Sequence, residues 1–176
     1  MALKPPVSND TDHIQGLKRA TIELVEYGDY QCPHCGRAYP IIKRIQEKFK
    51  DDLKFVFRNF PLSEIHPQAI QAAAAAEAAG RQEKYWEMHD IIFENQHNLA
   101  KPALLEFATK LGLDLRKFEV DLSDQSIIEK IESDFESGVR SGVNGTPTFF
   151  VNGTKYVDSW DEWELSRNLN VLLARG

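Results

Sequence analysis

Two segments near the N-terminus have the spacing of apolar residues that is typical of strands. The segment TIELVEYG, residues 21–28, alternates and is rich in β-branched residues, so Ile22, Leu24 and Glu26 lie on one face. The segment LKFVFRNF, residues 53–60, is apolar at positions of both parities, which favours a central strand. We therefore expect two strands, with the carboxyl group of Glu26 on an apolar face.

Between and after these two strands, as far as about residue 142, the apolar residues have helical spacing. Between the strands, GRAYPIIKRIQEKFK brings Tyr39, Ile42, Ile45 and Phe49 together at intervals of three and four residues. From about residue 61 to residue 142 the pattern is helical throughout, including the alanine-rich segment HPQAIQAAAAAEAAG, which ends near Gly80. This pattern predicts several helices in succession.

Strand signals return only in GTPTFFVNGTKYV, residues 145–157, where Asn152 and Gly153 predict a two-residue hairpin turn. A last helix follows in SWDEWELSRNLNVLLARG, with Ser159 or Asp161 as its cap. Residues 1–18 show no periodicity and predict an extended arm. The chain therefore predicts an α/β unit from residues 19–61 and 143–176, with residues 62–142 as a helical insertion.

Composition and charge exclude several classes of function. A chain of 176 residues with 42% hydrophobic content can bury a core of its own. Its net charge of −6, without any basic run, argues against binding to nucleic acid. No apolar run reaches the roughly 18 to 20 residues that cross a membrane, so we expect no membrane insertion.

The N-terminal sequence bears on where the protein acts. Residues 1–16, MALKPPVSNDTDHIQG, contain Pro, Asn and Asp where a signal peptide has an apolar core. We expect a cytoplasmic protein if Met1 is the native start. If a signal peptide has been removed, the expected location is periplasmic or otherwise extracytoplasmic.

The two cysteines of the chain, Cys32 and Cys35, lie in a single CPHC motif. A disulfide that closes so short a loop removes little entropy from the unfolded chain, so a purely structural bridge is disfavoured. A zinc site usually needs four ligands, and the histidines outside the motif are scattered singly along the sequence. A CxxC metal-binding module or metallochaperone, without redox turnover, remains an alternative that requires ligands brought together by the fold.

A redox function explains more of the pattern. The motif follows a strand and opens a helix, which places Cys32 at the positive end of the helix dipole, where a thiolate is stabilised. A protonated His34 would add a second positive charge beside it. Cys35, one helical turn further on, can reach Cys32 and is shielded by the helix. We expect Cys32 to attack and Cys35 to resolve the mixed disulfide.

The CPHC motif after VEYGDYQ, a helical insertion, and the later GTPTFFVNG segment together resemble the DsbA-like thiol-disulfide oxidoreductases of the thioredoxin superfamily. This resemblance implies a thioredoxin fold, a central mixed sheet flanked by helices, with an inserted all-helical domain. It also implies that no cofactor is needed. The expected partners are protein substrates with cysteine thiols or disulfides, together with a redox partner or glutathione.

The resemblance also implies roles for individual residues. Cys32 would be the nucleophile and Cys35 the resolving thiol, while Pro33 and His34 would set the redox potential. The absence of a signal segment leaves the direction of electron flow open, because a reducing compartment would keep an oxidant reduced. In that setting a reductase, an isomerase or a thiol carrier is the expected activity.

Three residues outside the motif acquire roles in the same way. Pro147 corresponds to the cis-proline that faces the disulfide, and Thr146 precedes it, so both would bind substrate. Glu26 corresponds to the acidic residue beneath the active site. Its place on an apolar face predicts a raised pKa and a relay for the proton of Cys35.

Overall fold

A five-stranded mixed sheet lies at the centre of the computed structural model, which describes residues 1–176. The strands are β1 (His13–Gln15), β2 (Ile22–Gly28), β3 (Leu53–Asn59), β4 (Thr148–Val151) and β5 (Thr154–Lys155). Their order across the sheet is β1-β3-β2-β4-β5. Strands β2 and β3 are parallel, whereas the other neighbouring pairs are antiparallel. This mixed sheet confirms the predicted fold class.

Seven helices surround the sheet. They are α1 (Pro33–Phe49), α2 (Ala69–Gly80), α3 (Tyr85–Phe93), α4 (Lys101–Lys110), α5 (Leu115–Leu122), α6 (Gln125–Arg140) and α7 (Glu162–Ala174). Helix α1 connects the parallel strands β2 and β3, and helices α2 to α6 lie between β3 and β4 in the chain. The two candidate caps of α7 differ in role, because it is Asp161 whose carboxylate accepts a hydrogen bond from the N–H of Glu164 at 3.0 Å.

The hairpin turn has the conformation that its sequence predicts. Asn152 and Gly153 both have positive φ angles, 48° and 79°, which the two central residues of a type I′ turn require. The side chain of Asn152 also accepts a hydrogen bond from the N–H of Glu23 at 2.7 Å. This contact ties the hairpin to the start of β2.

The N-terminal arm is part of the sheet, which the sequence pattern did not predict. Residues His13–Gln15 form β1 and pair antiparallel with β3, with Ile14 opposite Val56. Beside this strand, Asp12 and Arg58 form a buried salt bridge at 2.8 Å. Three residues are too few for a visible alternation, so the strand depends on the free edge of β3 and on the charge of Arg58 for its position.

The hydrophobic core is continuous between the sheet and the helices of the central segment. One cluster contains buried residues of β2, β3 and α1 together with residues of α2 to α6 and α7. Most of the alanines of α2 are fully buried in it, which lets neighbouring helices approach closely. The division of the chain at residues 62 and 142 therefore stays a prediction, since the core does not separate there.

The two faces of β2 are those that its alternation predicts. Ile22 and Leu24 belong to the large cluster that contains both cysteines, whereas Val25 and Tyr27 belong to a smaller cluster on the other face. Glu26 has the same parity as Ile22 and Leu24. Its carboxyl group therefore lies on the face of the sheet that carries the CPHC motif.

Candidate active site

The sheet brings the CPHC motif and the segment before β4 together at the end of β2. Strand β2 ends at Gly28, and Cys32 follows shortly afterwards as the N-cap residue of α1. Strand β4 is antiparallel to β2 with Thr148 opposite Tyr27, so the residues that precede β4 lie beside the end of β2. The Thr146–Pro147 peptide bond in this segment is cis. The sulfur of Cys32 lies 3.7 Å from the carbonyl oxygen of Thr146.

The environment of Cys32 favours its thiolate. A hydrogen bond from the thiol of Cys35 is the largest effect, and it lowers the pKa of Cys32 to about 5 against the opposing effect of burial. Interactions with Thr146 and with the backbone N–H groups of His34 and Cys35 lower this pKa further. These N–H groups belong to the first turn of α1, where they have no partner within the helix. Cys32 is therefore mainly ionised at pH 7.

The second cysteine has the opposite properties. Cys35 is fully buried, and both cysteines are free thiols. Burial is the main cause that raises the pKa of Cys35, and the hydrogen bond to Cys32 and the negative charge of Glu26 raise it further. The N–H of Asp29 donates a hydrogen bond to its sulfur at 3.5 Å. The two neighbouring thiols therefore differ strongly in acidity.

The carboxyl group of Glu26 is buried near both sulfurs. Its Oε1 atom has no hydrogen-bond partner, and burial, followed by the charge of Cys32, raises the pKa of Glu26 to about 8. Gly28 leaves space here, because a Cβ atom at this position would overlap the ring of Phe57 and lie 3.1 Å from Oε1 of Glu26. Glu26 can thus hold or release a proton close to neutral pH.

The exposed side of the motif carries the positive charge of Arg37, a residue for which the sequence pattern suggested no role. His34 is exposed, and its Nδ1 accepts a hydrogen bond from the guanidinium of Arg37 at 2.5 Å. Pro33 occupies the first turn of α1, where its missing N–H costs no hydrogen bond. Arg37 lies three residues after His34, and this spacing on a helix was the available signal for the contact.

Asp29 is a second residue that the sequence analysis did not single out. Its buried carboxylate accepts hydrogen bonds from the N–H groups of Gln31 at 2.8 Å and Leu62 at 2.9 Å. His66 contacts the same carboxylate at 2.7 Å, and the N–H of Cys32 donates to the carbonyl of Asp29 at 3.1 Å. Asp29 therefore holds the loop before Cys32, and an aspartate in a short loop between strand and helix is the local signal for such a turn.

The cysteines lack the further ligands that a metal site would need. No group of three or more His, Cys, Asp or Glu side chains is arranged to hold a metal ion. His13 instead pairs with Glu77, and His66 pairs with Asp29. The long-range assembly of ligands that the metal-binding alternative requires is therefore not formed by these side chains.

Comparison with known proteins agrees with this geometry. The sequence profile of the family described as Thioredoxin matches residues 8–170. This chain belongs to the thioredoxin family. Among solved structures, alpha-DsbA1 from Wolbachia pipientis is 25% identical with a TM-score of 0.79, and the match covers 97% of this chain and 94% of that one. The predicted DsbA-like relationship within the thioredoxin superfamily is thus confirmed.

Two further solved structures have the same fold. BdbD from Bacillus subtilis is 24% identical with a TM-score of 0.82, and the match covers 95% of each chain. A thioredoxin-like oxidoreductase from Silicibacter pomeroyi DSS-3 is 22% identical with a TM-score of 0.83, and the match covers 96% of this chain and 99% of that one. Helices α2 to α6 are therefore included in the shared fold, since each match spans nearly the whole of this thioredoxin-family chain.

Curated relatives with higher identity are much longer proteins. The Na(+)/H(+) antiporter NhaA 1 of Salinispora arenicola is 42% identical over 98% of this chain, which is 26% of that protein. The Na(+)/H(+) antiporter NhaA of Herminiimonas arsenicoxydans is 41% identical over 92% of this chain and 25% of that protein. This chain thus spans about a quarter of the length of the curated relatives it matches. None of its own helices has the length and apolar character that crossing a membrane demands.

The proton-holding capacity of Glu26 leads to a kinetic prediction. Glu26→Gln keeps the shape of the side chain but cannot transfer a proton, so we expect the step in which Cys35 exchanges its proton to slow by about ten- to a hundredfold at pH 7. The rate is measured by mixing reduced protein with oxidised glutathione and following formation of the intramolecular disulfide. Glu23→Gln, on the other face of β2, is the matched control. Equal rates for both variants would contradict a relay through Glu26.

Proposed function

We propose that this chain is a thiol-disulfide oxidoreductase that exchanges a disulfide between Cys32 and Cys35 and the cysteines of protein substrates. The observation that carries the proposal is the opposite acidity of two adjacent thiols, with the pKa of Cys32 lowered to about 5 and that of Cys35 raised. An ionised first thiol and a protonated, buried second thiol suit a nucleophile and a resolving group. The family to which the chain belongs supports the same activity.

In the proposed reaction, two electrons pass from a substrate dithiol to the disulfide of the oxidised protein. A substrate thiolate attacks the sulfur of Cys32, the bond to Cys35 breaks, and Cys35 leaves with the electron pair and takes up a proton. We assign the supply of that proton to Glu26, whose charge acts on the Cys35 thiol and whose own pKa is raised to about 8. A second substrate thiolate then attacks the substrate sulfur of the mixed disulfide, and Cys32 leaves as its stabilised thiolate.

The low pKa of Cys32 sets the favoured direction of this exchange. A stabilised thiolate is a good leaving group, and it stabilises the reduced form of the protein. The disulfide between Cys32 and Cys35 is therefore a stronger oxidant than a disulfide between substrate cysteines of ordinary pKa. We therefore propose that the chain donates disulfides and that a redox partner or glutathione restores its own. This direction requires an oxidising, extracytoplasmic compartment, since a reducing one would keep Cys32 and Cys35 as thiols.

Substrate binding is assigned to the segment before β4. The backbone of Thr146 borders the sulfur of Cys32, and Pro147 lies between this contact and the strand. We propose that an extended substrate segment lies along Thr146 and Pro147 and that main-chain hydrogen bonds hold it there. Recognition through the backbone would accept many sequences around a substrate cysteine.

Equilibration with glutathione buffers tests the proposed function. The expected result is the conversion of two thiols to one intramolecular disulfide, with a potential well above the about −270 mV of thioredoxin. The protein should also oxidise a reduced, unfolded protein of known cysteine content. Failure of both reactions, together with a co-purified metal that blocks alkylation until a chelator is added, would instead support the metal-binding alternative.

The hydroxyl of Thr146 gives a prediction about the nucleophile. This hydroxyl is buried and has no hydrogen-bond partner in the free thiol form, so it is available to the sulfur of Cys32, and the Thr146 side chain lowers the pKa of that thiol. Thr146→Val removes this hydroxyl at nearly constant volume, so the thiolate loses a potential donor and we expect the pKa of Cys32 to rise by roughly half a unit to one unit. The thiolate absorbance measures this shift. Thr109→Val on α4 is the control, and an equal pKa in both variants would contradict the role of Thr146.

A further inference from the structure

Gln96 joins the part of the chain that forms α2 to α6, here called the helical segment, to the loop that carries Cys32. It follows the end of α3, and its Nε2 donates hydrogen bonds to the carbonyl oxygen of Tyr30 at 2.8 Å and to that of Cys32 at 2.9 Å. Its amide therefore contacts the main chain on both sides of Gln31. None of the exchange steps described above uses this side chain.

The first turn of α1 leaves space for this contact. The carboxamide oxygen of Gln96 lies against Gly36, where a Cβ atom would overlap it. Glycine is unfavourable in the interior of a helix, so its presence next to the motif agrees with a need for close approach. The N–H of Gly36 also donates to the carbonyl of Cys32 at 3.0 Å, so that this oxygen accepts two hydrogen bonds.

We propose that Gln96 is a positioning residue for the nucleophile Cys32, acting by holding the carbonyl groups of Tyr30 and Cys32 from the side of the helical segment. With these carbonyls held, the peptide planes of the first turn keep one orientation. The N–H groups of His34 and Cys35 then point towards the sulfur of Cys32, where they favour its thiolate. Gln96 acts only through the loop and does not touch the substrate.

This inference deepens the proposed function, because it takes Cys32 as the attacking thiol. Its first test does not depend on turnover. In Gln96→Ala the acid dissociation constant of Cys32, followed by thiolate absorbance, is expected to fall about three- to tenfold through the loss of two hydrogen bonds. The equilibrium with glutathione should shift towards the oxidised protein by a similar factor, because the reduced form loses part of its stabilisation.

Two further variants separate positioning from general stability. Gln96→Met keeps the length of the side chain and removes its donors, so it covers the case in which Gln96→Ala folds poorly. Gln71→Ala is the matched control, since Gln71 also donates from its side chain to a carbonyl, that of Leu99 at 2.7 Å, within the helical segment. We expect Gln71→Ala to lower stability without a change in the titration of Cys32.

Gly36→Ala provides an independent route to the same effect. The added methyl group should displace Gln96, so Gly36→Ala alone is expected to reproduce the shift seen in Gln96→Met. In the double variant it should add little, because the contact is already lost.

The inference is overturned if both Gln96 variants leave the dissociation constant of Cys32 and the glutathione equilibrium within about twofold of the wild type, or if the effects of Gly36→Ala and Gln96→Met simply add. A shifted titration in a protein that exchanges no disulfide would contradict the proposed function and leave the positioning role of Gln96 standing.

Discussion

Cys32→Ser is expected to abolish disulfide exchange in both directions. A serine hydroxyl cannot form a disulfide, and Cys35 cannot take over because it is fully buried and its pKa is raised. The loss is measured as the rate at which the protein oxidises a reduced substrate or reduces the disulfides of insulin. The spontaneous rate in buffer is the baseline, and we expect the variant to match it.

Cys35→Ser should give the complementary result. The thiolate of Cys32 can still attack a substrate disulfide, so a mixed disulfide forms while the other substrate sulfur leaves as a thiolate, but no second thiol of the chain can release the substrate. Mass spectrometry under non-reducing conditions should show an adduct with the summed masses of the variant and the substrate. The variant that carries both Cys32→Ser and Cys35→Ser should form no such adduct. The assignment would be reversed if alkylation at neutral pH modified Cys35 faster than Cys32, or if Cys32→Ser were the variant that trapped substrate.

The second large effect concerns stability. Between pH 5 and pH 8, the reduced protein is expected to gain about 3 kcal/mol of unfolding free energy relative to the oxidised protein. The pKa of Cys32 is lowered to about 5 in the folded chain, whereas an unfolded cysteine has a pKa near 8.5. A folded pKa below the unfolded one stabilises the fold fully above the unfolded value, and this stabilisation is lost as the pH falls through the folded value. The oxidised protein has no thiolate and gains nothing from this effect.

The disulfide itself adds a contribution that does not depend on pH. Closing so short a loop stabilises the oxidised form by roughly 2 kcal/mol at most in the chain-entropy model. We therefore expect the oxidised form to be the more stable at pH 5 and the reduced form to be the more stable at pH 8. Burial is the main cause that raises the pKa of Glu26 and does not require a thiolate, so this part of its contribution cancels in the comparison, whereas the part due to the charge of Cys32 belongs to the reduced form alone.

Urea unfolding of both forms at several pH values measures this difference. Cys32→Ser has neither the thiolate nor the disulfide, so its pH dependence reports the remaining titrating groups and is subtracted. A difference between reduced and oxidised protein that stays constant from pH 5 to pH 8 would mean that the Cys32 thiolate is not stabilised. The proposed preference for donating disulfides would then lose its physical basis.

Several features of this protein follow from short-range physics and were predictable from the sequence. The alternation in β2 assigned Ile22 and Leu24 to the face of the cysteines because successive side chains of a strand point to opposite sides. The Asn152–Gly153 turn and the start of α1 at the CPHC motif depend only on neighbouring residues. Together with the motif order, these local signals were sufficient to predict the family and the fold.

Contacts between distant residues were decided by the tertiary structure alone. Thr146 reaches Cys32 because β4 pairs antiparallel with β2, and Gln96 reaches the same loop because the end of α3 packs against the start of α1. Strand β1 exists only because β3 offers it an edge. The sequence by itself was sufficient to propose which residues carry the chemistry. Their acidity required the fold, because the pKa values of Cys32 and Glu26 depend on burial and on neighbours that only packing supplies.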